Sequence, residues 1–423
     1  MTENVSSTCS ASSSKKRKSS SLFEESENSS SPQSYPNVHV VESSSPRSDS
    51  SDQTTSSEDQ TKITSSPTEI DDCTSKWNKN TLNKIGIESV TTKAFDPMDL
   101  ISFAFNLKDP KVLQRVDRCK KVIENHEIFG TEHKRHPYNV LDIDDIENIE
   151  SSSAFEMMAV EYKSRWHHDV GIWNVQPPDI NDKLDIRLFQ KFRVHGELFV
   201  QQLINMSMIK TTQNLTEAMY QSLFQEFAAQ FGLMSLSVPV IGKAQVDIGD
   251  KAVSSIPDIV FPDITNSDIH HSNLKILAVC EVKKEFKAKE DLVISLQYST
   301  RSGKKKVIGK EQVIWHLDDR LQGQHGGELL LHYPLSQKNG LLGIIVQKTH
   351  VTFSYFQCNT VQFEEIMTGN QCVNSPVVYY SRPYNYLKAA DRKELITPLL
   401  TLGFVQFSPC CISRKEQQIE NVD

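Results

Sequence analysis

The residues most able to do chemistry are two acids and an amine near the ends of two apolar runs. LKILAVCEVKKEF is a strand-like run that closes on Glu281-Val282-Lys283. On a strand, Leu277, Val279, Glu281 and Lys283 share one side, while Ile276, Ala278, Cys280 and Val282 share the other, so acid and amine protrude together. A strand this apolar is buried on both faces, and ionic groups at its end must emerge at a cleft or bind something. Upstream lies IPDIVFPD. Antiparallel pairing of Ile256 to Phe261 with that strand brings Asp258 close to Glu281. Two carboxylates at a strand end make a hard-oxygen site of the kind Mg²⁺ prefers. Lys283 beside them can orient or deprotonate a water and steady developing negative charge, which is chemistry suited to a phosphodiester. Asp263, in the second Pro-Asp, is a rival first acid. Asp258 is preferred because Ile259, Val260 and Phe261 continue the strand after it.

Elements on either side must hold these groups in place. NLTEAMYQSLFQEFAAQFG reads as a helix that Thr216 can cap, with Leu215, Met219, Leu223, Phe224 and Phe227 as its stripe and Gly232 at its end. After Lys283 comes a polar insert. GKEQVIWHLDDRLQ is then predicted as a helix with Val313, Ile314, Leu317 and Leu321 inward, and LLGIIVQ and HVTFSYFQ as two strands around Lys348-Thr349. A last helix follows, packing through Leu387, Leu395, Leu399 and Leu400. From Lys283 to Lys310 there are nine Lys and Arg against Glu285, Glu290 and Asp291. In the functional reading Lys284, Lys287, Arg301, Lys304, Lys305, Lys306 and Lys310 track a phosphate backbone, with residues 301–306 as a mobile basic turn. The bland alternative is a loop that is cationic only for solubility.

Pro257-Asp258 and Glu281-Val282-Lys283, preceded by a helix bearing Glu217, resemble the PD-(D/E)xK nuclease superfamily, the restriction-endonuclease-like fold. The resemblance covers about residues 211–360, in the order helix, three strands, helix, strand. It implies Asp258 and Glu281 as ligands of Mg²⁺, with Mn²⁺ as a substitute, helped by the carbonyl of Val282. Lys283 would position or activate the attacking water. Glu217 matches the helix acid that supports a second metal in many members, and Gln312 matches a polar residue on the helix after the catalytic strand. Glu226 is an alternative to Glu217, and Gln297 an alternative to Gln312.

The chain has 423 residues, 46 Lys+Arg against 54 Asp+Glu, a net charge of −8 and only 38% hydrophobic residues. The first 75 residues hold 6 of the cations and 12 of the acids, leaving a nearly neutral body of 40 against 42. That Ser-rich segment cannot offset the entropy of ordering. Within it, Lys15-Lys16-Arg17-Lys18 reads as a nuclear localisation signal, against the plainer reading of a solvated charge run. No apolar run of about 18 residues and no signal-peptide core is present, so an intracellular protein is expected, in the nucleus or otherwise the cytoplasm. Eight scattered cysteines argue against a disulfide scaffold.

The expected organisation is an α/β protein with a restriction-endonuclease-like core. It comprises a disordered tail (1–76), a mostly helical accessory region (77–210), the nuclease-like domain (211–360), a C-terminal helical extension (361–412) and a polar tail (413–423). The expected function is a metal-dependent endonuclease acting on nucleic acid, DNA before RNA. The alternative is an inactive nuclease fold that binds nucleic acid or protein. A homodimer, two copies pairing for a double cut, stays open.

Overall fold

The computed structural model describes residues 70–105, 107, 110–125, 183–210, 212–238, 241–264, 274–287, 289–299, 306–336, 340–370 and 372–407. The basic cluster Lys15–Lys18, the turn residues Arg301, Lys304 and Lys305, and the tail 413–423 lie outside the described residues. The chain from Ser65 onward clusters as one compact unit, and all described residues belong to it.

A turn of 3-10 helix, Thr74–Lys76, leads into α1 (Lys79–Lys84), β1 (Glu88–Phe95), α2 (Pro97–Ala104), α3 (Pro110–Asn125) and α4 (Lys183–Lys210). Next come α5 (Glu217–Ala229), β2 (Leu236–Ser237), β3 (Ala244–Ile248), β4 (Lys251–Ser255), β5 (Ile259–Pro262) and β6 (Ile276–Lys283). A long antiparallel pair, β7 (Lys289–Ser299) and β8 (Lys306–His316), precedes α6 (Asp319–His332). The chain continues through β9 (Leu341–Gln347), β10 (His350–Gln357), α7 (Thr360–Met367), β11 (Val377–Ser381), β12 (Tyr384–Asn385) and α8 (Ala389–Val405).

One mixed sheet organises the unit. Its strands lie in the order β1-β11-β10-β9-β6-β5-β2, with β12 against β10. The pairs β1–β11 and β6–β9 are parallel and the others antiparallel. Along β9 the side chains alternate: Leu342, Ile344 and Val346 enter one core with α2, α3, α4, α5 and α8. Leu341 and Ile345 enter the other, with α1, α6, α7 and the β3–β4 hairpin. Helices cover both faces, which is why β6 and β9 are apolar almost throughout. No helix among the described residues is long and apolar enough to cross a membrane.

Local signals explain several element ends. Asp96 caps α2 by accepting the Met98 N–H at 2.7 Å, and Pro110 opens α3, where a missing N–H costs nothing. Gly232, at φ +85°, closes the α5 region in a left-handed conformation that Gly tolerates. In α6, a Cβ on Gly323 would lie 2.2 Å from the Asn78 backbone, so glycine there lets the start of α1 lie directly on the helix.

The 77–210 region is mostly helical where described, adds β1 to the sheet, and packs α2, α3 and α4 into one core with α5, as an elaboration on the part that follows. Two expectations need correction. Residues 361–412 give the sheet β11 and β12 besides two helices. GKEQVIWHLDDRLQ is not one helix: its first part is β8, and α6 starts only after Asp318, which accepts the N–H groups of Arg320 and Leu321 at 3.0 and 3.1 Å. Asp at that spacing is a helix start, and it overrides an apolar spacing that fits a helix by chance.

Candidate active site

Antiparallel register sets Ile259 opposite Cys280, so Asp258, one residue before β5, falls beside Glu281 and Val282. Its Oδ2 accepts the Val282 N–H at 2.7 Å, and its carbonyl accepts Nε2 of Gln221 from α5 at 2.8 Å. Strand and helix thus fix Asp258 together. Asp263 sits at the far end of the same pairing, beyond Pro262 opposite Ile276. Five residues of strand, roughly 17 Å, separate it from the Glu281 end.

Glu281 points to the α6 side of the sheet and is only 1% exposed. Two donors reach its Oε1: the Lys283 ammonium and Nε2 of Gln324. The same Gln324 nitrogen also donates to Glu328 Oε1 at 3.1 Å, one helical turn on. Lys283 lies 3.7 Å from Glu217 Oε1, at the first turn of α5. Asp258, Glu281, Lys283 and Glu217 therefore meet in one place. Glu226 does not join them; it binds His195 Nδ1 of α4 at 2.9 Å. Gln312 lies on strand β8 rather than on a helix, and so cannot play the part of a helix residue; Gln297 lies on β7. The glutamine that reaches the centre is Gln324.

Gln324 and Glu328 were missed because the helix was begun too early. Their i, i+4 spacing in DRLQGQHGGELLLH is a legible signal once the helix starts at Asp319. Behind Glu328, His325 Nε2 meets Ser354 Oγ of β10 at 2.8 Å. A Cβ on Gly343 would come within 2.4 Å of that His325 nitrogen, so glycine in β9 makes room for the contact.

The electrostatics are those of crowded, desolvated carboxyls. Burial raises Glu281 well above the usual range; Glu328 and Asp258 push the same way, and Lys283 only partly opposes them. Burial also raises Asp258, and raises Glu328 to about 7. Burial pulls Lys283 down, but Glu281, Glu217 and Asp258 outweigh it and leave the amine above its ordinary value. Burial holds His325 down to about 3, so it is neutral. Its Nδ1 stands 3.8 Å from Glu328 Oε2, an oxygen with no hydrogen-bond partner. Of this group, Glu217, Lys283 and Gln324 line a cavity of about 390 Å³ together with Lys284, Lys287 and Arg320, while Asp258 and Glu281 lie behind them and are not part of its lining.

These residues fit a hard dication. Among the described residues no three His, Cys, Asp or Glu side chains converge as a ready cage. Mg²⁺ needs none, since it is commonly held by one or two carboxylates with water and phosphate oxygens completing its shell. Asp258 and Glu281 supply the carboxylates; burial, the largest cause, raises both despite Lys283, and a dication beside them would offset that cost. No family model matches this chain, and no curated protein or solved structure matches it.

Proposed function

We propose that the protein is a metal-dependent endonuclease that hydrolyses phosphodiester bonds in nucleic acid, DNA before RNA, with a centre of the PD-(D/E)xK type. The observation that carries the reading is the convergence of Asp258, Glu281 and Lys283 at the end of β5 and β6, with Glu217 on the other side of the amine. The order α5, β2, β5, β6, α6, β9, with β2-β5-β6-β9 adjacent in the sheet, supports a restriction-endonuclease-like core.

Asp258, Glu281 and the Val282 carbonyl would hold Mg²⁺ or Mn²⁺, which when bound supplies Lewis acidity and a water of lowered pKa. Lys283 stands beside them, placed to hold that water and to meet negative charge as it grows on the phosphate. Gln324 keeps one Glu281 oxygen oriented through its amide. Lys284, Lys287 and Arg320 line the cavity and would hold flanking phosphates. The basic cluster Lys15–Lys18 would direct the chain to the nucleus.

Incubating the full chain with plasmid and oligonucleotides plus Mg²⁺ or Mn²⁺ tests the reading. Cleavage is expected, falling about 10²- to 10⁴-fold in Lys283→Ala and at least as far in Glu281→Ala. Cleavage that survives in both variants assigns the chemistry elsewhere. Binding without cleavage by the unaltered chain would favour the alternative, a nuclease fold that serves as a binding module.

A further inference from the structure

Gln347 ends β9, and parallel pairing sets it beside Lys283 at the end of β6. Leu341 and Ile345, at odd positions of β9, enter the core on the α6 side, so Gln347 follows them onto the face that carries Glu281 and Lys283. It is only 2% exposed, and its Oε1 has no hydrogen-bond partner. Buried amide oxygens are normally paired, and an orphan costs stability. Gln347 also lines the cavity. Among the described residues, no other side chain of the cavity wall holds a buried polar atom without a partner.

An unpaired acceptor calls for a ligand that brings a donor. None of the cations sharing the wall, Lys283, Lys284, Lys287 and Arg320, donates to it. The backbone of DNA has no donor to offer, since its phosphate and sugar oxygens only accept. Water has two. Burial pulls Lys283 down, but Glu281, Glu217 and Asp258 keep it an ammonium, which donates to a water and cannot accept from one. The nearest carboxylate oxygens, on Glu281 and Glu217, are turned to that amine. A water held by Lys283 alone would have its oxygen fixed and its O–H bonds free to swing. An acceptor one strand away removes that freedom.

We propose that Gln347 accepts a hydrogen bond from the attacking water and so turns a lone pair of that water toward the phosphorus. This deepens the nuclease reading and rests on it. The Lys283 ammonium donates to the water oxygen, one O–H donates to Gln347 Oε1, and the remaining lone pair is left for attack. The water oxygen forms a new P–O bond as the bond from phosphorus to the leaving ester oxygen breaks. One water proton passes to solvent and the leaving oxygen takes one up, giving a phosphomonoester and an alcohol. Gln347 takes no proton, because an amide oxygen is too weak a base; its work is orientation.

Single-turnover cleavage of the oligonucleotide that the unaltered full chain cuts, over a range of protein concentration, separates the rate at saturation from the half-saturating concentration. Gln347→Met keeps the length and removes the acceptor. It is expected to lower the saturating rate about tenfold to a hundredfold and to leave half-saturation within about twofold. Melting of the metal-free chain gives a second readout: with an orphaned buried acceptor gone, the variant should melt no lower than the unaltered chain. Gln347→Glu, which keeps an oxygen at the same reach, should cleave faster than Gln347→Met. Ser336→Ala removes another orphaned buried hydroxyl at the far end of β6, where the Lys275 ammonium donates to the Pro334 carbonyl at 3.4 Å, and should leave the rate unchanged. Full saturating rate in Gln347→Met overturns the proposal and keeps the nuclease. A raised half-saturating concentration at full rate would make Gln347 a contact of the nucleic acid, and also overturns it. A rate that falls only together with the melting temperature, without recovery in Gln347→Glu, assigns the residue to the fold and does the same. No cleavage by the unaltered chain in Mg²⁺ or Mn²⁺ removes the nuclease reading and this one with it.

Discussion

Glu281 and Glu328 are buried close together with half-buried Asp258 nearby, and their titration sets the pH at which the fold is most stable. Glu328 ionises near 4.5 in an unfolded chain and near 7 in the folded one. The folded state holds the proton more tightly, so this contribution is complete below about pH 4.5 and is lost as pH rises through about 7. For one fully buried group that amounts to something on the order of 3 kcal/mol. Asp258 and Glu281 are raised and act in the same sense. His325 acts oppositely: held down to about 3, it contributes stability above its unfolded value of 6.5 that is lost as pH falls. Urea denaturation of metal-free protein should therefore show a midpoint that drops from pH 5 to pH 8. Glu328→Gln should shrink that drop, and Mg²⁺ should flatten it by giving the carboxylates a counterion. An identical pH slope in Glu328→Gln would mean that Glu328 is not buried as a proton holder. At this scale the acid-acid-lysine set was legible from strand alternation and Pro-Asp, because both depend only on neighbours in the chain. Gln324 and Glu328 were not, because their relevance depends on where α6 begins and on how it crosses β6.

Elements succeed or fail on their boundaries. The helix of Leu223, Phe224 and Phe227 and the two strands around Lys348-Thr349 were legible because each carries a periodic stripe and a clear end. The turn even reaches the centre, since the Lys348 N–H donates to the Lys283 carbonyl at 2.8 Å. β8 was misread as helix since Val313, Ile314, Leu317 and Leu321 mimic a helical stripe across the strand, its end and the next helix. β1 was missed because its partner β11 lies almost three hundred residues away in sequence, and no local pattern reports such a pairing. The glycines of α6 give this scale a prediction of its own. On propensity alone Gly323→Ala should stabilise a helix by about 1 kcal/mol. The methyl would instead meet the Asn78 backbone at 2.2 Å, and backbone cannot rotate away. Net destabilisation by about 1–3 kcal/mol is expected in thermal or chemical denaturation. Cleavage should fall as well, because Ser75, just before α1, lines the cavity. Gly242→Ala, with nothing within 4 Å of the new methyl, is the matched control and should be close to neutral.

For the whole molecule, the question is where the working body starts. The composition shift suggested a boundary near residue 76, with a second near 210 between a helical accessory and the nuclease-like part. The first lies a few residues late. The Lys251 ammonium donates to the Ile70 carbonyl, Trp77 Nε1 to the Asp71 carbonyl at 2.9 Å, and Cys73 bridges to Ser254. Trp77 itself is fully buried beneath α6. The second boundary cuts through a core: Leu100, Val116, Phe192 and Phe199 pack in the same cluster as Phe227 and Tyr386, with Phe227 and Tyr386 stacked at 4.7 Å. Removing several buried aromatic and aliphatic side chains at once costs far more than the 5–15 kcal/mol by which a domain is normally stable. A chain that starts at residue 211 should thus fail to give a cooperative unfolding transition or to cleave DNA, although it retains Asp258, Glu281 and Lys283. A chain that starts at residue 65 should keep the melting temperature of the full protein and its cleavage rate, while a fluorescent fusion of it loses nuclear accumulation along with Lys15–Lys18. Circular dichroism melts of the two truncations settle the boundary directly, and a folded, active 211–423 fragment would show that the shared core is dispensable and that the accessory region is a domain in its own right.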